Sequence, residues 1–173
     1  AIQRLERYVD CVKDIQKIED VEIKKECFNL KEYITDIIND FSLLSKNRER
    51  MLECQDQTEI ENIYSDKDML SKILENIFDN ALRFSEKSIH FSITEENNYI
   101  CFTISDDGKG FSQEELKYAT SFFYSSPTNK GNFGIGLSIC NILCERLDCI
   151  LLLKNTADHG ACITVQVKNH ELF

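Results

Sequence analysis

Apolar residues recur along this chain with two different periods, and the change from one to the other divides it into elements. Ile2, Leu5, Val9 and Val12 follow at spacings of three and four, and Ile15 and Ile18 continue the stripe. Residues 1 to about 26 are therefore predicted to form a helix with a coiled-coil-type seam, which wants a partner surface. From Asn29 to about Arg50 the helical period returns in Tyr33, Ile34, Ile37, Ile38, Phe41 and Leu44, and short strands are expected near 51–55 and 59–64. A third helix is expected to open after Ser65-Asp66, either of which can cap it, and to run to about Phe84 on the apolar pairs Ile73/Leu74, Ile77/Phe78 and Ala81/Leu82. Lys72, Asn76, Asn80 and Arg83 share one polar stripe beside that buried face.

The period then shortens to two. Ile89, Phe91 and Ile93 lie on one side of a strand, Ile100, Phe102 and Ile104 on one side of the next, and the second strand runs straight into Asp106-Asp107-Gly108-Lys109-Gly110. A short helix follows from about Gln113 to Ala119, then a polar stretch from Thr120 to Phe133, then a helix from about Gly134 to Leu147. Strands near Cys149–Lys154 and Ala161–Lys168 close the chain. The expected class is α+β: a two-layer α/β sandwich with a mixed, largely antiparallel sheet and helices on one face, preceded by the coiled-coil-type helix. The charged stretch Asp20 to Glu26 is the expected boundary, dividing the chain into residues 1–26 and 27–173.

Composition narrows the chemistry. The 173 residues suit one domain with a small appendage, and 42% hydrophobic residues with a single proline read as a folded globular protein. A formal net charge of -10 argues against nucleic acid or anionic lipid as partner, since those need clustered Lys and Arg. A polyphosphate ligand would call for a divalent cation. The eight cysteines contain no Cys-x-x-Cys pair or metal-ligand spacing and read as reduced thiols in a cytoplasmic setting. Cys140 and Cys144, four apart on a helix, read as packed small hydrophobes. No apolar run approaches the roughly 18 residues of a spanning helix, so no membrane contact is expected of this segment, and any anchor is expected outside it.

Each candidate motif has a plain structural reading. Asparagine on a helix is usually a solvated polar residue. Asp-x-Gly-x-Gly after a strand is often a turn, and Gly134-Ile135-Gly136-Leu137 at a helix start suits a hinge or close packing as well as an anion site built from free helix amides. Their order along one chain favours the functional reading. Leu74-Glu75-Asn76-Ile77-Phe78-Asp79-Asn80-Ala81-Leu82-Arg83-Phe84-Ser85 resembles the N box of sensor histidine kinases, members of the Bergerat-type ATPase superfamily. The resemblance spans about residues 1 to 168. It implies that Asn80 ligates Mg²⁺, that Asn76 supports it on the phosphate side, that Arg83 faces phosphate and that Phe84 packs against adenine. Ile104 to Phe111 is similar to the family's first glycine box, which makes Asp106 the acceptor for the adenine amino group, with Gly108 and Gly110 letting the backbone pass close to the nucleotide. Phe122-Phe123-Tyr124 and the polar residues after it, including Lys130, resemble the phenylalanine box and ATP lid. Asn132-Phe133-Gly134-Ile135-Gly136-Leu137 resembles the second glycine box and Gly160-Ala161 the third. Two positions depart: Asn132 stands where many relatives begin the second box with glycine, and Asp148-Cys149 replaces a common glycine pair.

The reaction is narrowed by asking where a base would sit. In gyrase-type and chaperone ATPases, and in serine kinases of the superfamily, a glutamate precedes the metal-binding asparagine by four residues; here that residue is Asn76. A carboxamide takes up no proton, and Glu75 is turned about 100° away. Histidine is nucleophilic as neutral imidazole, so the resemblance implies transfer of the γ-phosphoryl of Mg-ATP to histidine, by positioning and charge neutralisation. The family's acceptor lies on the first helix of a dimerisation hairpin, of which residues 1–26 resemble only the second. His90 falls mid-strand, His159 in a turn and His170 follows a strand, so none sits in an acceptor's context. The expected partners are that histidine-bearing hairpin helix of the same protein, a response regulator, and a second copy in a full-length homodimer. The alternative is a degenerate nucleotide-binding sensor or scaffold without catalysis.

Overall fold

The structure is a computed structural model that describes residues 2–118 and 133–169. Its helices are α1 (Ile2–Asp20), α2 (Leu30–Asn47), α3 (Lys67–Phe84), α4 (Gln113–Tyr118) and α5 (Phe133–Arg146). Its strands are β1 (Glu26–Asn29), β2 (Met51–Asp56), β3 (Asn62–Ser65), β4 (Ser88–Glu96), β5 (Tyr99–Asp106), β6 (Ile150–Asn155) and β7 (Ala161–Lys168). Five strands form one sheet in the order β2-β4-β5-β7-β6, where only the β2–β4 pairing is parallel. This is the mixed, largely antiparallel sheet that the alternating pattern predicts.

Register sorts the side chains into two faces. Phe91 sits opposite Ile104, which sits opposite Ile163, and all three are buried with the helices. Phe41 of α2 stacks on Phe78 of α3 with centroids 3.8 Å apart, and Phe91 of β4 meets Phe41 edge-on at 5.4 Å. That aromatic cluster joins both helices to the sheet. On the other face Thr103 and Thr164 share a hydrogen bond of 2.9 Å, in keeping with alternation between core and solvent.

Local chemistry sets the boundaries. Asn29 Oδ1 accepts from Glu32 N at 2.9 Å and Asp66 Oδ1 from Met69 N at 3.0 Å, so each side chain caps the helix that follows it. At the end of α5, Asp148 adopts φ 55°, Cys149 N donates to Cys144 O at 2.8 Å and Asp148 N to Glu145 O at 3.3 Å. This is a Schellman closure. The left-handed turn expected of a glycine pair is thus kept by an aspartate, which tolerates that conformation better than most side chains. In the β4–β5 hairpin Asn97 and Asn98 both take positive φ, as a two-residue turn of this hand requires.

One expectation needs correction. The first helix ends at Asp20 rather than near residue 26, and Glu26–Asn29 forms a strand paired antiparallel with β3. Charge along 20–26 suits a helix locally, but pairing with Asn62–Ser65 satisfies more backbone groups and overrides it. The stripe on α1 is exposed over most of its length, from 75% at Ile2 to 43% at Val12, and only Ile18, at 8%, enters the core. Among the described residues no helix is long and apolar enough to cross a membrane. Cys140 and Cys144 are buried, as packing predicts, and burial pushes the Cys140 thiol up to about 12.

Candidate functional site

Helices α3 and α5 run antiparallel: Cys140 Sγ donates to Ile73 O at 3.5 Å, and a Cβ on Gly136 would lie 3.9 Å from Asn80 Oδ1. The first turn of α5 therefore faces the C-terminal half of α3. That turn carries Gly134, Ile135 and Gly136, with Leu137 fully buried behind them. Its backbone N–H groups have no partner within the helix, which favours an anion. Asn80 is buried, Asn76 half-buried, and Nδ2 of both is enclosed without a hydrogen-bond partner. Buried unpaired amides are costly unless a ligand completes them.

A pocket opens beside this pair. Its wall on α3 is Ile77, Asn80, Ala81 and Phe84, the sheet contributes Ile104, Asp106 and Ile163, and Gly110-Phe111 close one end. An apolar slot with one acid at its base suits a flat heteroaromatic ring with a donor on its edge. Asp106 ends β5, where its Oδ1 accepts from Gly108 N at 2.8 Å and Ala161 N at 3.4 Å. Burial pushes its carboxyl above the usual aspartate range, the two backbone bonds pull it down, and neighbouring Asp107 adds to the rise.

The loop after β5 is held by contacts that leave no room for larger residues. A Cβ on Gly108 would meet Phe84 O at 2.2 Å, and one on Gly160 would meet Asp106 O at 1.7 Å. Gly110 has φ +71°. Asp107 takes the amides of Glu86, at 2.8 Å, and of Lys87 and Ser88, each at 3.1 Å, binding the end of α3 to the glycine loop. Burial alone would raise its carboxyl, but these backbone bonds outweigh that and hold it below the usual range. Asn155 pairs with both backbone groups of Phe111, each at 2.7 Å.

The structure thus brings together Asn76, Asn80, Phe84, Asp106, Gly108, Gly110, Gly136 and Leu137, with Gly134 and Ile135 in the backbone of α5's first turn. Arg83 is exposed and paired with Asp79 at 3.1 Å instead of lining the pocket. Phe123 and Lys130 lie outside the described residues. Phe111, Asp107 and Asn155 were not singled out by the sequence. Phe111 ends the glycine motif and carried a signal as the large apolar residue after its last glycine; Asn155 lies 44 positions from its partner and carried none.

Residues 65–171 match the family described as "Histidine kinase-, DNA gyrase B-, and HSP90-like ATPase". The chain belongs to this family. The match runs from the end of β3 to beyond β7 and so takes in α3, the residues that line the pocket and the first turn of α5. The histidine protein kinase SaeS of Staphylococcus epidermidis is 28% identical over 154 residues, covering 84% of this chain and 44% of SaeS. The chain thus spans less than half the length of that relative. Among solved structures, full-length ShkA in complex with AMPPNP has a TM-score of 0.78 at 14% identity, covering 95% of this chain and 36% of that one. Histidine kinase ThkA in complex with the response regulator TrrA has a TM-score of 0.77 at 18% identity, covering 98% and 49%. These two likenesses establish the ATPase fold.

Proposed function

We propose that this chain is the ATP-binding catalytic domain of a sensor histidine kinase, residues 27–173, preceded by the end of a dimerisation and phosphotransfer hairpin, residues 1–26. Asn76 carries the choice of reaction. It stands one turn before Asn80, where a hydrolase or a serine kinase of the superfamily would hold its base, and it supplies only an amide. Glu75 is exposed and turned about 100° away around α3.

In this reading Asp106 accepts a hydrogen bond from the adenine amino group while Phe84 and Ile104 enclose the ring. The amides at the start of α5 take phosphate oxygens, and Asn76 Nδ2 is a further donor beside them. Arg83 exchanges Asp79 for phosphate, and Lys130 and the lid residues around Phe123 complete the site. Mg²⁺ fits the donor set as a shared ion: among the described residues no cluster of His, Cys, Asp and Glu could hold a metal alone, while Asn80 Oδ1 is a hard oxygen that can join phosphate and water ligands. When bound, Mg²⁺ neutralises charge on the transferred group. The acceptor is a histidine of the hairpin helix rather than one of this chain's own: His90 lies within β4, His159 in the turn before β7, and His170 lies outside the described residues. A response regulator as final recipient, homodimerisation through the exposed seam of α1 and a cytoplasmic setting belong to the same reading.

The test uses γ-labelled ATP with Mg²⁺ and a histidine-bearing hairpin added as a separate polypeptide. The chain alone is expected to bind nucleotide with little self-labelling and little phosphate release. Acid-labile, base-stable label is expected on the hairpin. Rapid phosphate release without acceptor would overturn the kinase reading for an ATPase, and tight binding without transfer would favour a sensor module.

A further inference from the structure

We propose that Arg146 and Asp66 form a two-point latch on the segment between α1 and β1 and act as positioning residues that fix the direction of α1 relative to the nucleotide pocket. The functional meaning rests on the reading above, in which the helix that receives phosphate is joined to α1. Arg146, in the last turn of α5, donates Nη1 to Ile18 O and Nη2 to Val21 O. Ile18 O is one of the last four carbonyls of α1, which have no partner inside the helix and favour a cation. Asp66 divides its carboxylate: Oδ1 caps α3 through Met69 N at 3.0 Å, and Oδ2 accepts from Lys24 N at 2.7 Å. Among the described side chains of α1 only Ile18 is buried, and exposure rises to 75% at Ile2. The described contacts of α1 and its linker with the body thus gather at the last turn of the helix and just after it, and those contacts set where it points.

Both anchors lie at the far ends of helices whose near ends form the site. Asp66 begins α3, which carries Asn80, and Arg146 ends α5, which starts at the glycine turn beside Asn80. The 14 residues of α5 span about 21 Å as a rigid rod. A shift at the phosphate end is thus carried to the linker by a contiguous packed element.

The latch is tested by electron–electron distance measurement between spin labels on ketone-bearing amino acids at Lys13 and Glu96, diluted with unlabelled chain. The unsubstituted chain is expected to give one narrow distribution. Arg146→Met, which keeps an unbranched apolar stem but no donor, and Asp66→Asn, which keeps the helix cap but loses the acceptor for Lys24 N, should each about double its width, and Arg146→Lys should restore it. Affinity for a non-hydrolysable ATP analogue should stay within about twofold, because the substitutions lie far from the pocket. Faster deuterium exchange over residues 17–25 should accompany the broadening. Widths equal to the unsubstituted chain's in both variants, or an unsubstituted distribution already as broad, overturn the latch. A chain that binds ATP but transfers no phosphate would remove the kinase reading and leave these widths unchanged.

Discussion

At the scale of single residues, Asp106 combines two demands that oppose each other. Its carboxylate accepts from Gly108 N and Ala161 N, which favours charge, yet its burial disfavours charge. The folded state therefore keeps the proton to higher pH than the unfolded chain. The stability this contributes is fully present below the ordinary aspartate range and is lost as pH rises through the raised folded-state value. Asp106→Asn keeps the shape without titrating, so its melting temperature relative to the unsubstituted chain should rise between pH 4 and pH 7; a constant difference would mean burial does not govern the site. The same variant should bind ATP more weakly by about 1.5 kcal/mol or more, the scale of a lost hydrogen bond to a charged group. Calorimetry showing equal affinity would remove Asp106 from adenine recognition. Stability gained with affinity lost is the pattern expected of a residue kept for its ligand.

Elements here are fixed by their ends. Two helices close with non-glycine residues in the left-handed position, Glu49 after α2 and Asp148 after α5, each followed by a Schellman bond. Asp148→Gly removes the Cβ from that conformation and should stabilise the fold by about 0.5–1 kcal/mol, read from urea midpoints; destabilisation would show that the aspartate side chain makes a contact that outweighs its strain. Asn155→Ala should act the other way. Removing both bonds to Phe111 is expected to cost about 1–3 kcal/mol and to weaken nucleotide binding, since the backbone that closes the pocket loses its brace. Unchanged affinity would mean the loop holds itself. These two sites also mark what the sequence could disclose. The span of α3 and the strands ending at Asp106 and starting at Ala161 are local patterns and were legible, while the cap was narrowed only to Ser65 or Asp66. β1 was not, because its pairing partner lies at Asn62–Ser65 and its own four residues carry no period. Asn155 was hidden for the same reason: a polar side chain whose partner is backbone far along the chain leaves no local mark.

For the whole molecule, charge decides how the pocket can be filled. A chain of formal net charge -10 must accept a nucleotide that is itself strongly anionic. Arg83, the basic residue that the resemblance sets toward phosphate, is already paired with Asp79 on an exposed surface, where such a pair is worth less than about 1 kcal/mol. It can change partners easily but cannot offset the repulsion alone. The N–H groups of α5 contribute a partial positive charge, and in the proposed reading the balance falls to a divalent cation shared between Asn80 and the phosphates. Saturating ATP analogue at about 100 times its dissociation constant stabilises a fold by about 2.7 kcal/mol, or roughly 5–10 °C in melting temperature for a domain of this size. With Mg²⁺ present the full shift is expected; with the cation chelated, most of it should vanish at the same nucleotide concentration. Asn80→Ala should bring the two conditions together, leaving a small shift from adenine and Asp106 alone. If the variant retained the full Mg²⁺-dependent shift, the ion would have its protein ligand elsewhere, and the buried amide of Asn80 would be serving only the packing of α3 against α5.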